Sequence, residues 1–397
     1  QTATADTGLA GASPLSATDA TALSAPQWWT GLGDTQLNQL IDQALTGSPS
    51  LAASNARFEK AAALATANST ASDIRGTLSA DATRQRYTAN GMIPAPIAGN
   101  IYNSANVQAG LSWAPDFFGK HSAELQSALG QARAAKADSA AAATQLAAQV
   151  ARSYVALARL IAQREVAERT LGQRQSLLNL SEQRTKAGLD SQVELTQAQA
   201  GMPEARTQIE MLNEQITLTR RTIAVLCAQA PDAQNALSPQ MAGLRLQSVP
   251  QTLGADLLGR RPDIVAARWR VEAATQGIDA AKADFYPDVN LTAFVGLNAL
   301  GLDNLFQGSS RQLGITPALR LPIFDGKRLR AQLRGKQADL DTAIAQYNGA
   351  VLDAVKQAGD SIASVQSLQR QQSLQTESLS KAERAYDFAV QRYRAGL

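Results

Sequence analysis

The sequence predicts a mainly α fold built from two copies of one unit, each copy carrying a small β part. Three observations lead there. A set of short motifs occurs twice in the same order. Four segments alternate apolar and polar residues. Residues 120–186 run without a proline, and their only glycines are Gly130 and Gly172. A run of that length and composition reads as long helix rather than as part of an ordinary globule.

The duplication is read from its motifs, since missing a repeat mis-assigns a whole fold. Gln183-Arg184-Thr185-Lys186-Ala187-Gly188-Leu189 recurs as Gln391-Arg392-Tyr393-Arg394-Ala395-Gly396-Leu397. Pro115-Asp116-Phe117-Phe118-Gly119-Lys120 recurs as Pro322-Ile323-Phe324-Asp325-Gly326-Lys327, and Ser48-Pro49-Ser50-Leu51 answers Arg261-Pro262-Asp263-Ile264. The first repeat spans 34–227: a helix, strands 77–88 and 101–115, a long helix 120–186 and a return helix 191–227. The second spans 254–397: a helix, strands 287–298 and 311–323, and a long helix 327–394, with the final return helix absent. Residues 1–33 precede the repeats and 228–253 join them.

Composition excludes several function classes. The chain has 397 residues, with 37 Lys+Arg against 34 Asp+Glu, one His and one Cys. One Cys cannot close an intramolecular disulfide, and one His with one Cys cannot build a nitrogen/sulfur metal cage. His121 would have to serve any Ser–His–Asp or Cys–His site, so structural zinc and those two kinds of catalysis are not expected, and no residue set is named as catalytic, metal-binding or cofactor-binding. A net charge of +3 with no concentrated basic stretch gives no footprint for nucleic acid. No apolar run reaches the length of about 18 residues that a transmembrane helix needs.

The alternating segments carry the β part. In the first repeat Ala105, Val107, Ala109, Leu111 and Trp113 alternate with polar residues or Gly, and Leu78, Ala80 and Ala82 do so more weakly. In the second, Val289, Leu291, Ala293 and Val295 stand opposite Asn290, Thr292 and Phe294. Leu313, Ile315, Leu319 and Leu321 stand opposite Gln312, Thr316 and Arg320. Period 2 marks a strand with one wet and one dry face. Pro317 cannot donate to a ladder, which weakens the last strand.

A soluble sandwich alternates equally well. Two isolated hairpins flanked by helices, with long joining loops at 88–100 and 298–310, instead suit strands of about ten residues that cross a bilayer. Four strands cannot close a barrel, and open edges are not tolerated in lipid, so several chains would share one barrel. Three chains give about twelve strands, within the range known for such barrels. On that reading Val107, Ala109, Leu111, Trp113, Val289, Leu291, Val295, Leu313, Ile315 and Leu319 face lipid, and Arg320 looks into the lumen.

The helices follow from period and caps. Leu146, Val150, Tyr154, Leu157 and Ile161 step by helical spacing, and a helix over 120–186 would be roughly 100 Å long. Lys186-Ala187-Gly188-Leu189 ends it, with Gly188 suited to the left-handed position and Lys186 to the terminal dipole. Ser191 and Glu194 form a capping-box pair that starts the return helix. Pro203 is expected to kink that helix or delay its regular start. Laid end to end, the return helix and the segment 34–72 together roughly match the long helix, a hint of a continuous helical tube wall.

These residues resemble the TolC/NodT-type outer-membrane efflux family. The pieces are Trp28-Trp29 with Asp34-Thr35-Gln36-Leu37-Asn38-Gln39-Leu40-Ile41, then Leu258-Gly259-Arg260-Arg261-Pro262-Asp263-Ile264. Ala280-Ala281-Lys282-Ala283-Asp284-Phe285-Tyr286-Pro287 and Leu321-Pro322-Ile323-Phe324-Asp325-Gly326 follow in order. The resemblance implies a homotrimer with a twelve-stranded β-barrel in the outer membrane of a Gram-negative cell and a long α-helical coiled-coil barrel in the periplasm. It implies residues 1–33 as an extended strap and 228–253 as an equatorial linker. The partners it implies are a periplasmic adaptor protein, an inner-membrane transporter and outer-membrane lipid. The adaptor would dock at two tips, Lys186, Ala187, Gly188 and Leu189, and Arg394, Ala395, Gly396 and Leu397. Substrates such as drugs or toxic compounds would pass unmodified. Relatives with an acylated N-terminal Cys suggest a lipid anchor just upstream of Gln1.

The competing reading is a soluble or peripheral coiled-coil scaffold, which explains the helices and tips but not the alternating segments. An enzyme has no residue constellation to support it. Among single residues, His121 reads as a surface or interface group, Cys227 as a buried inert thiol, and Trp28 and Trp29 as packing on the outside of the helices.

Overall fold

The computed structural model describes residues 27–245 and 259–394. The expected 1–33 strap is therefore seen from residue 27, and the 228–253 linker as far as residue 245. In chain order the elements are α1 (Thr35–Gly47), α2 (Pro49–Ser69), β1 (Arg75–Arg86), β2 (Ile101–Trp113), α3 (Lys120–Lys186) and α4 (Gln192–Leu226). The second half supplies α5 (Pro262–Ala283), β3 (Asp288–Leu300), β4 (Arg311–Arg320) and α6 (Gly326–Arg394). The chain divides into two compact units, Gln1–Ala56 with Lys136–Val265 and Gly349–Leu397, and Arg57–Ala135 with Ala266–Asn348. Each unit draws on both halves of the duplication.

The first unit holds the main core. Leu37, Leu40, Ile41 and Ala44 of α1 are buried at spacings of three and four. They pack with Val150, Tyr154, Leu157 and Ile161 of α3 and with Leu212, Ile216 and Ile223 of α4. Asp34 caps α1 by accepting from the Gln36 and Leu37 amides at 2.9 and 3.2 Å. Its other oxygen accepts the Tyr154 hydroxyl at 2.7 Å, so one carboxylate both starts α1 and ties it to α3. Trp29 is buried in the same core, while its neighbour Trp28 remains exposed. The linker is tied back where Arg220 Nε donates to the Leu237 carbonyl at 2.9 Å.

The helix between residues 34 and 72 is broken once. Pro49 occupies the first helical position of α2, where its missing N–H costs nothing, and Ser48 turns the chain in extended geometry. α3 has the expected bounds, and α4 starts as expected with Ser191 as its cap, the complete capping box being present. Pro203 neither delays nor ends α4, which runs on through it. Lying in the fourth turn, it removes a single backbone donor.

The second unit holds the sheet, an antiparallel meander in the order β1-β2-β3-β4. The strand bounds differ from the sequence reading by a few residues. β2 stops at Trp113 rather than 115, and β4 at Arg320 rather than 323, ahead of Pro115 and Pro322, which lack the donor a ladder needs. β1 begins at Arg75, which pairs Ser112, and β3 continues to Leu300, which pairs Ser104. Pro317 stays inside β4 opposite Leu291. Within the single chain β4 is an edge strand, where a proline is tolerated.

Candidate functional site

Two features stand out: the faces of the four-stranded sheet, and the tight turn between α3 and α4. In the sheet the two hairpins, far apart in sequence, join through β2 and β3. Ala105 lies opposite Ala299, Val107 opposite Leu297, Ala109 opposite Val295, Leu111 opposite Ala293 and Trp113 opposite Leu291. Leu78 lies opposite Ala109, Val289 opposite Leu319, Ala293 opposite Ile315 and Val295 opposite Leu313. Directly opposed residues share a face, so this register collects the apolar positions of all four strands on one surface.

That surface is largely uncovered: Leu78, Leu313 and Ile315 keep 79%, 80% and 73% of their area exposed. An apolar sheet face this bare is not the inside of a sandwich. Among the described residues it is best covered toward the loops, where Leu305 packs on Ala105 and Ala299, with Val107 and Leu297 beside them. β1 and β4 are the two edges, and neither has a partner on its outer side among the described residues.

The opposite face is polar and cross-linked. Asn106 donates to Asp81 at 3.1 Å, while Gln312 Nε2 lies within reach of Asn106 Oδ1 at 2.9 Å and Gln108 Oε1 at 3.3 Å. Ser112 donates to Asn290 at 3.2 Å. One apolar ring sits in this face: Phe294 lies opposite Gly110 on one side and Gly314 on the other. A Cβ on Gly314 would come within 2.7 Å of the ring, so the glycine is what lets Phe294 lie across β4.

The α3–α4 turn is closed by backbone and side chain together. Gly188 has φ +75, and the Leu189 and Gly188 amides donate to the Arg184 and Thr185 carbonyls at 2.9 and 3.0 Å. This pattern satisfies the last carbonyls of α3 with a left-handed glycine. Arg184 grips Asp190 with two bonds of 2.9 Å, which holds the Asp190 carboxyl below the usual carboxylate range. Leu189 and Val193 point outward, 68% and 62% exposed. A rigid turn thus presents two apolar side chains.

The family model of the Outer membrane efflux protein family matches residues 40–229 and 253–397. The chain belongs to this family.

Similar proteins include the multidrug resistance outer membrane protein MdtP of Shigella flexneri, 33% identical over 92% of this chain and 77% of the relative. MdtQ of Escherichia coli O157:H7 is 33% identical over 94% of this chain and 79% of its own length. The solved outer membrane protein VceC of Vibrio cholerae superposes with a TM-score of 0.87, at 34% identity, over 94% of this chain and 89% of VceC. As a member of the outer membrane efflux family, the chain is an efflux channel protein of the Gram-negative outer membrane, and the mainly α fold with four strands per protomer agrees with VceC.

Within that family frame the sequence-derived positions fall as follows. Leu111, Trp113, Val295, Leu313, Ile315 and Leu319 are exposed on the apolar face, as is Ala109, while Leu291 is half-covered. Val289 sits at the helix end of the face, on the rim of a cavity that also receives Lys120, Asp284 and Arg320. Arg320 lies on the polar face opposite Asp288. Lys186, Ala187, Gly188 and Leu189 form the α3–α4 turn. Arg394 ends α6, and Ala395, Gly396 and Leu397 lie outside the described residues.

Sequence reading missed the Arg184–Asp190 clamp, although Arg184 stands within the repeated motif. It also missed the Asp81–Asn106–Gln312–Gln108 network, whose members come from three strands. The Arg-Arg-Pro-Asp motif gains a physical account. Arg261 binds both oxygens of Asp263, and it reaches Gln357 of α6 at 3.1 Å. Asp263 Oδ1 accepts the Ile264 amide in the first turn of α5. Burial opposes ionisation of Asp263, yet the Arg261 bonds outweigh it and hold the carboxyl below its ordinary range. Cys227 is buried with its thiol against the Leu40 carbonyl, and burial pushes its pKa up to about 11. Among the described residues no group of acidic, His and Cys side chains is placed to hold a metal.

Proposed function

We propose that three copies of this chain close one barrel, β4 of each against β1 of the next, and form the outer-membrane exit duct of a tripartite efflux pump. What supports this is the sheet: one apolar face left bare, with an unpartnered strand at each edge. In hydrocarbon an open edge leaves unsatisfied amides and carbonyls, and ring closure through copies of the same chain removes every edge at once. The polar face then lines the lumen, with Arg320 toward the helix end. α3 and α6 extend the conduit through the periplasm, and the exposed Leu189 and Val193 at the α3–α4 turn meet the helical hairpins of an adaptor. The relatives MdtP and MdtQ are named for multidrug resistance, and the same class of small-molecule cargo is inferred for this chain. Cargo passes unmodified; the driving energy comes from an inner-membrane transporter.

Charging the two faces separately tests the duct. Leu111→Arg and Ile315→Arg, which share a row within the apolar face, are expected to abolish insertion of the trimer into membranes, because a lipid-facing cation costs about 2–4 kcal/mol near mid-membrane. Gln108→Arg and Thr316→Arg, on the opposite face, are expected to insert normally. Equal tolerance of all four, read as membrane-extracted trimer, removes the barrel assignment.

A further inference from the structure

The apolar face carries charge at one end only. On it, below the loops, stand only aliphatic, small and aromatic residues; at the loop end stand Arg84, Arg86 and Arg311. The register puts them there. Arg84 lies opposite Asn103, Arg86 opposite Ile101, and Arg311 opposite Leu297, and each of those partners shares the face of Val107 and Leu111. No Asp or Glu of the four strands occupies this face; Asp81 and Asp288 sit on the other.

All three arginines are exposed. Arg86 spends one N–H on the Gly99 carbonyl at 3.2 Å. The side chains of Arg84 and Arg311 have no hydrogen bond or ion pair among the described residues. The one carboxylate in the 301–310 loop, Asp303, likewise pairs with none of them. Three guanidinium groups without a carboxylate partner on the dry side of a sheet would be expensive inside hydrocarbon and are tolerated only at the membrane surface.

We infer that Arg84 and Arg86 of one protomer, with Arg311 of its neighbour, form a site for a phosphate-bearing lipid headgroup in the outer leaflet. The inference rests on the three-chain barrel above, in which β4 of one copy runs antiparallel to β1 of the next. That pairing brings the start of β4, and so Arg311, beside the end of β1, where Arg84 and Arg86 stand two residues apart on the same face. Guanidinium is suited to the task, since its planar fork takes two oxygens of one phosphate and stays charged at any physiological pH. The apolar residues directly below, Ala80, Ala82 and Leu313, would lie against the acyl chains of the same lipid. A soluble anion would gain nothing from them, so the occupant is a lipid. The site also staples the seam between protomers from outside.

The test uses the full chain assembled in phosphatidylcholine bilayers containing a small fraction of a bis-phosphorylated diglucosamine glycolipid. The lipid retained by the extracted trimer is then measured by native mass spectrometry. Wild type is expected to hold the phosphorylated glycolipid in preference to its dephosphorylated form. Each Arg→Gln change at 84, 86 or 311 should weaken retention about fivefold, the weight of one cation near an anionic membrane surface. The triple Arg→Lys variant should keep most of it. Arg75→Gln with Arg320→Gln, on the polar face, should change nothing. Undiminished retention by the Arg84→Gln, Arg86→Gln, Arg311→Gln variant overturns the site. So does equal loss from the Arg75/Arg320 pair, or full displacement by millimolar inorganic phosphate, which would mark a soluble-anion site. Trimer formation is read separately by cross-linking. A wild type that makes no membrane trimer sinks the duct reading itself, whereas a normal trimer without lipid preference sinks only this inference.

Discussion

Tyr154 shows how much a single side chain organises here. It is among the largest fully buried residues, and its hydroxyl donates to Asp34, which is itself the cap of α1. Burial, reinforced by the Asp34 carboxylate, pushes the phenol well above its ordinary range, so it remains a donor at every pH the protein meets. Tyr154→Phe keeps the ring and its packing but removes a hydrogen bond to a charged acceptor. The expected cost is about 1.5–3 kcal/mol, seen as a lower denaturant midpoint. Asp34→Ala should cost more, because it also uncaps α1, worth about 1 kcal/mol, and leaves the buried hydroxyl only the longer contact to Gln36 Oε1 at 3.2 Å. Equal stability of Tyr154→Phe and wild type would leave the hydroxyl without structural role. From sequence, Asp34 was legible as part of a family motif and Tyr154 as a core position. Their contact was not, because it joins residues well over a hundred positions apart.

At the scale of elements, the α3–α4 turn is the part most fully written in local sequence. Gly188, Ser191 and Glu194 act on neighbours within one helical turn, and the structure places each in the expected role. The Arg184–Asp190 clamp adds a pH response. Because the Asp190 carboxyl is held below its ordinary value, the clamp's contribution is present above the usual carboxylate range and is lost as pH falls through the lowered value. Amide protection at 187–189, after allowing for the intrinsic pH dependence of exchange, is therefore expected to fall as acid titrates the lowered Asp190 carboxyl. Asp190→Asn should flatten that dependence, and an unchanged acid response in this variant would assign it to another group. Gly188→Val forces a β-branched residue into the left-handed region and should distort the turn that carries Leu189 and Val193. Adaptor binding is expected to fall at least tenfold, with trimer formation unaffected; intact binding would move the docking surface elsewhere. The strands were legible as period-2 segments, whereas their ends were less so, since a ladder stops where its partner stops.

On the scale of the whole molecule, the sheet exposes an apolar face and two bare edges that water does not tolerate as a stable surface. Stripping detergent from the purified protein is therefore expected to give association or precipitation, followed by light scattering. A chain that stays monodisperse and monomeric in plain buffer would instead favour a peripheral scaffold. No helix among the described residues is long and apolar enough to cross a membrane.

The sequence by itself determined the elements: the bounds of α3, the cap and start of α4, the left-handed glycine, and the inward–outward alternation of each strand. Those features rest on periods of 3.6 and 2 and on caps, all interactions between near neighbours. Only the tertiary structure decided that β2 pairs with β3, that four dry faces coincide, and that Arg84, Arg86 and Arg311 share one of them. Register between strands from opposite halves of the chain is set by contacts that exist only after folding, and a slip of one residue would have turned those arginines to the other side.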